Sequence, residues 1–254
     1  MLGLGLSLTS RRRGTASWAL AALTGYQGGL WPNDSYAANG LWQNAGKTTP
    51  AIAVNDPVKV ITDPHYNGGM DWTCNGTGWL LKQTAGLNWY LDGTGMTTYY
   101  TAADLTAAST QVIVLFASAK AGSAGGSELI GFGANATGQA RGLSAFTGWY
   151  FTGNSADLNC SSFGIAAADT GNHSHAVQVA ADQKITWTLD GVSSTPTVPS
   201  GTLAATTGPR IYGMYPGLIG FNAGGVCYGA GIWFATASGG DLALLKTTGD
   251  ALRA

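Results

Sequence analysis

Cleavage of a glycosidic bond needs two carboxyl groups about 5–10 Å apart, one protonated and one ionised. The chain has a single glutamate, Glu128, in the stretch Gly125-Gly-Ser-Glu-Leu-Ile130. No D-x-D or D-x-x-D pattern places two aspartates together on one face, so glycosidase chemistry is disfavoured. His173 and His175, at i and i+2, would share one strand face and could hold a metal. No Asp, Glu or Cys at ligand spacing completes that set, so both are expected to be surface or edge residues. His65 lies between Pro64 and Tyr66 and is expected in a loop. The stretch Gly40-Leu-Trp-Gln-Asn-Ala-Gly46-Lys47-Thr48 resembles a phosphate-binding loop but has five residues between its glycines instead of four. No G-x-S-x-G elbow occurs. The expectation is a protein with no catalytic residues, no metal and no cofactor.

Aromatic residues are the remaining chemical resource. Flat apolar rings stack on sugar faces while amides, carboxylates and backbone groups take the hydroxyls. Trp72, Trp79, Tyr99, Tyr100, Trp149 and Tyr150 are the candidate glycan-binding residues, with subunit packing as the competing use of such rings. Trp149-Tyr150-Phe151 would put rings on both faces of a strand, leaving at least one ring exposed or at a subunit contact. Trp89 and Trp187 are expected in the core.

The composition requires strands to carry these groups. One glutamate among 39 glycines, 9 tryptophans and 10 tyrosines cannot supply the exposed faces of many helices, whereas Thr, Tyr, Trp and Val suit half-buried pleated surfaces. Charged residues are 10% of the chain and the net charge is −1, so no basic field exists to hold nucleic acid. With 45% apolar residues the chain should fold around a large core. Cys74, Cys160 and Cys227 stand far apart and are expected as buried thiols, with one disulfide still open. Five N-x-S/T tripeptides, at Asn33, Asn75, Asn135, Asn159 and Asn172, mainly reflect turn composition.

Short strands separated by turn signals follow one another. Val58–Ile61, Leu87–Leu91 and the continuous apolar run Gln111–Ala117 are three, the last suited to a central position. Lys184–Asp190 alternates strictly, with Ile185, Trp187 and Leu189 on one face and Asp190-Gly191 as a hairpin turn. His175–Ala180 has the same period and should pair with it. Trp31-Pro32-Asn33-Asp34 is expected as a turn. Only the C-terminus looks helical: Ser238-Gly-Gly-Asp241 supplies a cap before Leu242, Leu244, Leu245 and Leu252. Many strands without alternating long helices predict an all-β fold of two antiparallel sheets packed face to face.

Residues 1–17 are expected to form an N-terminal docking arm before a single domain over 18–254. In Met1-Leu-Gly-Leu-Gly-Leu-Ser-Leu-Thr-Ser-Arg-Arg-Arg13 the charges follow the apolar stretch, the reverse of a secretory signal. No stretch approaches the roughly 20 apolar residues of a membrane span. Leu2, Leu4, Leu6 and Leu8 could add apolar contacts, and Arg11, Arg12 and Arg13 could pair with acids, on a neighbouring subunit.

Several segments resemble the laminin-G-like, concanavalin-like jelly-roll domains of bacteriophage tail and virion proteins. They are Gly40–Pro50, then Asn55-Asp-Pro-Val58 with Ile61-Thr-Asp63, then Trp89-Tyr-Leu-Asp-Gly93 with Tyr99-Tyr100. Lys184–Gly191, Phe221–Phe234 and Ala243–Leu252 continue the resemblance as a strand and turn, a closing strand and a terminal helix. Departures are Lys47, Asn44 in place of an acid, and Thr94–Met96 in place of a second acidic turn residue, so no calcium site is carried over. The resemblance implies a jelly-roll sandwich with an extended arm and a short C-terminal helix. It also implies a non-enzymatic virion component of the tail, baseplate or fibre region, assembled in the host cytoplasm. Its partners would be other virion proteins, copies of itself and host-surface polysaccharide. The alternatives are an Asp/Glu-dependent polysaccharide depolymerase and a capsid decoration or head-fibre protein.

Overall fold

The computed structural model describes residues 19–120, 127–134, 136, 138–145, 149–153, 158–159, 171–213 and 225–254. Its strands, in chain order, begin with β1 (Tyr26–Leu30), β2 (Leu41–Trp42), β3 (Pro57–Val58), β4 (Val60–Asp63), β5 (Met70–Cys74), β6 (Trp79–Gln83), β7 (Trp89–Asp92), β8 (Tyr100–Ala107) and β9 (Ile113–Lys120). They continue with β10 (Ser127–Phe132), β11 (Arg141–Ala145), β12 (Trp149–Thr152), β13 (Leu158–Asn159), β14 (Asn172–Val179), β15 (Ile185–Leu189), β16 (Val192–Ser193), β17 (Thr206–Gly213) and β18 (Val226–Trp233). Two helices, α1 (Pro32–Ala37) and α2 (Gly239–Arg253), and a 3-10 turn at Ala19–Ala22 complete the elements.

Among the described residues the strands form two antiparallel sheets of nine. Sheet A runs β16-β15-β14-β9-β18-β7-β6-β3, with β1 also paired to β18, and sheet B runs β13-β12-β11-β10-β17-β8-β5-β4-β2. This is the all-β sandwich that the composition requires. The alternating segment forms β15, which pairs with β14 so that Val177 faces Trp187 and Val179 faces Ile185, all buried between the sheets. The apolar run forms β9, flanked by β14 and β18 at the centre of sheet A. Its continuous hydrophobicity has a structural reason. Leu115 and Ala117 face sheet B, whereas Val114 and Phe116 face a second apolar layer with Leu20, Trp31, Trp233 and Leu245.

That second layer lies under α2. A capping box starts the helix: the Ser238 hydroxyl accepts from the Asp241 amide, and Asp241 accepts from the Ser238 amide at 2.7 Å. At 15 residues the helix packs on β14, β9 and β18. Three local expectations need correction. Pro32 opens a six-residue helix rather than a turn, since proline suits a first helical turn. Val58–Ile61 is not one strand: the chain breaks at Lys59 and passes from β3 in sheet A to β4 in sheet B. Leu87 and Asn88 belong to the β6–β7 turn, and the strand begins at Trp89.

Cys74 and Cys227 are buried free thiols, and Cys160 lies outside the described residues. Burial pushes the Cys227 thiol up to about 12, so it stays protonated and inert. Close approach at the core centre depends on glycines, Gly93 above all. A Cβ at Gly93 would sit 2.3 Å from two atoms of the buried Trp79 indole. Gly93→Ala is therefore expected to lose about 1–3 kcal/mol through overpacking, seen as a lower urea midpoint with an unchanged slope.

Candidate functional site

The sequence-predicted aromatics divide sharply in the structure. Trp72, Trp79 and Tyr100 are each 0% exposed and belong to the central core. They cannot offer a ring face to a sugar, which corrects the expectation for these three. Two of them also engage their polar atoms internally: the Tyr100 hydroxyl donates to the Val58 carbonyl, and the Trp79 indole N–H donates to the Thr98 carbonyl at 3.1 Å. Tyr99 is half-buried just before β8, and its amide donates to Asn75 Oδ1 at 2.8 Å. Trp149 and Tyr150 lie on β12, where Tyr150 pairs with Ser144 and Asn159; their side chains lie outside what is described. Leu2, Leu4, Leu6, Leu8, Arg11, Arg12 and Arg13 also lie outside the described residues. Trp89, expected in the core, is only half-buried and stacks on Tyr36 with ring centroids 4.2 Å apart.

One histidine, His175, also differs from expectation. His175 is fully buried, because it shares the inward parity of Val177 and Val179, and its ring lies 5.9 Å from that of Trp187. His173 Nδ1 lies 2.6 Å from Asp190 Oδ2 at the end of the β14–β15 pair. His65, in the turn after β4, lies 2.8 Å from Asp34. Among the described residues no group of three or more His, Cys, Asp or Glu could hold a metal ion.

Most of the described carboxylates are engaged in local structure. Asp56 accepts from the Ile52 and Ala53 amides, Asp71 pairs with Lys47, Asp92 accepts from the Thr94 amide and Asp182 pairs with Lys184. Asp241 caps α2, and Asp250 pairs with Lys246 and Arg253. Asp63 is fully buried, and Tyr26, Gly29 and His65 donate to it. Glu128 pairs through its backbone with Ser144 and Gly213, and its side chain is outside what is described.

A surface that sequence reasoning missed lies on the outer face of sheet A. Because α2 covers β14, β9 and β18, the outer side of the β6–β7 hairpin lies beyond the helix. Leu91 points into the core, so alternation turns Tyr90 and Asp92 outward. Tyr90 sits opposite Lys82 on β6, and Asp92 opposite Val226 on β18. The half-buried Tyr90 ring rests on Tyr228 at 5.1 Å between centroids, with 40° between planes. Tyr228 donates its hydroxyl to Asn172 Oδ1 at 3.3 Å, and Lys82 donates its ammonium to Asn55 Oδ1. Burial and the Asp92 carboxylate raise the Tyr90 phenol. Burial and the Tyr90 neighbour raise Tyr228, with Arg253 at the end of α2 acting in the opposite sense. Both phenols therefore stay neutral near pH 7, able to donate and accept hydrogen bonds. The result is a platform whose accessible ring is Tyr90, backed by Tyr228, which is itself only 8% exposed, and edged by an ammonium, a carboxylate and an amide. The signal for it was the alternation of Trp89-Tyr-Leu-Asp92, but the face left open depends on where α2 lies.

No protein-family model matches the chain, and no curated protein matches it in sequence. Solved structures do share its fold. The chain is similar to domain 4 of AbnA, a GH43 extracellular arabinanase from Geobacillus stearothermophilus, solved in complex with arabinotriose. The TM-score is 0.54 at 12% identity, over 72% of this chain and 91% of that domain. It is also similar to part of a Trypanosoma rangeli sialidase, with a TM-score of 0.50 at 14% identity, over 82% of this chain. The match spans 35% of the sialidase. At such identities the likeness is one of fold, the two-sheet β-sandwich.

Proposed function

We propose that the chain is a non-enzymatic module of a phage particle, in its tail, baseplate or fibre region, that displays a glycan-binding surface built on the Tyr90 ring with Tyr228 beneath it. The observation that carries this reading is the half-buried Tyr90 ring, stacked on Tyr228 beside α2, with Lys82, Asp92 and Asn172 placed to take hydroxyls at its margin. The fold shared with an arabinanase domain solved with arabinotriose supports the ligand class. The commitment of most described carboxylates to caps, turns, ion pairs and buried hydrogen bonds supports binding over hydrolysis. The virion setting, self-association and contacts with other virion proteins rest on the sequence resemblance alone.

Glycan-array screening of the purified chain, followed by titration calorimetry on the best ligand, tests the reading. Tyr90→Ala is expected to weaken binding at least about tenfold, equivalent to about 1.4 kcal/mol, while the thermal melt moves little. Unchanged affinity in that variant, or no glycan bound at all, would overturn the site. Sugar release from host polysaccharide that disappears in Glu128→Gln would instead establish the depolymerase alternative.

A further inference from the structure

In an Asn-Gly dipeptide the asparagine side chain can react with the backbone, because glycine puts no Cβ in the way as its nitrogen closes on the asparagine Cγ. The chain has three such dipeptides, Asn39-Gly40, Asn67-Gly68 and Asn75-Gly76. The fold holds two of them still. The buried Gly40 donates its amide to the Ser35 carbonyl at 2.7 Å and accepts from the Thr62 amide at 2.8 Å, so its nitrogen stays protonated and fixed. Asn75 is clamped to Tyr99 twice: its amide donates to the Tyr99 carbonyl at 2.9 Å, and its Oδ1 accepts from the Tyr99 amide at 2.8 Å. Gly76 is closed in as well, since a Cβ there would lie 2.6 Å from the Thr98 methyl. Asn67-Gly68 differs on every count. It forms the tip of the β4–β5 turn, closed by the Gly69 amide donating to the Tyr66 carbonyl at 2.8 Å. In a turn of this kind the fourth residue supplies the closing donor, which leaves the amide of the third outside the ring. That third residue is Gly68, with a φ of +83°, and Gly69 follows with a φ of +75°. Asn67, Gly68 and Gly69 are exposed, and a Cβ at Gly68 would meet nothing within 4 Å. Among the described residues neither the Asn67 side chain nor the Gly68 amide has a hydrogen-bond partner.

We propose that Asn67 is a modification site, where the chain deamidates spontaneously through a cyclic imide formed with the Gly68 nitrogen. That nitrogen gives its proton to solvent and bonds to Asn67 Cγ; the Cγ–Nδ2 bond breaks, and Nδ2 leaves as ammonia after taking a proton back. Water then adds to one of the two ring carbonyls. Opening at Cγ gives aspartate, and opening at the main-chain carbonyl gives isoaspartate, in which the chain runs on through the side-chain carbon. Asparagine and water become acid and ammonia, with water the sole co-reactant. Either product adds one negative charge to a chain whose net charge is −1, and isoaspartate lengthens the turn by one backbone carbon. The charge arrives next to Tyr66, whose ring centroid lies 5.7 Å from Arg210 Cζ. The inference stands apart from the glycan reading, because β4 and β5 belong to sheet B and Tyr90 to sheet A.

The test incubates the folded full chain at mildly alkaline pH in heavy-oxygen water, then digests it in mildly acidic ordinary water and maps the label by mass spectrometry. Conversion during incubation carries heavy oxygen, and conversion during digestion does not. Asn67 is expected to convert at least about tenfold faster than Asn39 or Asn75, with isoaspartate present beside aspartate. In concentrated urea the three sites should convert at similar rates, which assigns the difference to the fold. Asn67→Gln keeps an exposed amide but needs a larger ring, so it should keep the thermal melt and lose the acidic form that ion exchange separates from the parent. Equal rates at the three sites in the folded chain, faster conversion at Asn39 or Asn75, or labelled aspartate at position 67 with no isoaspartate would overturn the proposal.

Discussion

Asp63→Ala is expected to destabilise the fold by about 3 kcal/mol, more than any surface change. The Asp63 carboxylate, on β4 of sheet B, ties that sheet to β1 of sheet A. Its Oδ2 accepts from the Tyr26 hydroxyl at 2.6 Å and from the Gly29 amide at 2.9 Å, and its Oδ1 accepts from the His65 amide at 2.9 Å. Tyr26 in turn accepts from the Trp31 indole N–H at 2.6 Å, which fixes the ring that underlies the α2 layer. Alanine would orphan three donors in or near the interior at about 1–3 kcal/mol each, offset in part because a carboxylate no longer has to be held out of water. Urea unfolding followed by tryptophan fluorescence measures the loss; a change below about 1 kcal/mol would show that the network relaxes onto water.

The same residue predicts a pH dependence of definite sign. Burial raises the Asp63 carboxyl above its usual range, against the lowering effect of its three donors. The folded chain therefore holds this proton more tightly than the unfolded chain. The associated stability is fully present in acid, below the unfolded value near 3.9, declines as pH rises through the raised folded value, and is flat above it. Asp63→Asn removes this dependence, so its cost relative to the parent should be smallest near neutrality and grow on acidification over that window.

Much of the sandwich was legible because alternation and burial agree. Ile185, Trp187 and Leu189 face inward as their spacing requires, and the uniformly apolar run of β9 reflects burial on both sides. The same rule would have placed Met70, Trp72 and Cys74 inside, with Asp71 and Thr73 outside, had position been weighed before ring chemistry. Trp79-Leu-Leu and Trp89-Tyr-Leu are ambiguous by contrast, since apolar residues occupy both parities and only the partner strands choose the face. His175 was placed at the surface or an edge because no ligand set completes around it, yet its parity with Val177 and Val179 carried the opposite answer. Alternation could turn Tyr90 outward, but its pairing with Tyr228 was not legible. The two tyrosines are 138 positions apart and meet only because β18 lies beside β7, and α2 leaves that flank uncovered.

Gly249 offers a test in which two physical effects oppose each other. By helix propensity alone, replacing a glycine inside α2 should stabilise the protein by up to about 1 kcal/mol. The packing predicts the reverse. A Cβ at Gly249 would lie 2.2 Å from Ser174 Oγ, 3.2 Å from Ser174 Cβ and 3.3 Å from the Phe116 ring. The site is also pinned by hydrogen bonds: Ser118 donates its hydroxyl to the Gly249 carbonyl at 3.0 Å, and Arg253 donates to Ser174 Oγ at 2.7 Å. Gly249→Leu is therefore expected to lift the C-terminal half of α2 and lower stability by about 3 kcal/mol through overpacking. Phe116 and Trp233 would become accessible, so a dye that fluoresces on apolar surfaces should bind the variant and not the parent. Gly249→Ala should fall between, because the Ser174 hydroxyl can rotate while its Cβ cannot retreat. A stabilised leucine variant would show that α2 is held by propensity and its cap rather than by close approach to sheet A, and that Val114, Phe116 and Trp233 tolerate a looser cover than their burial implies.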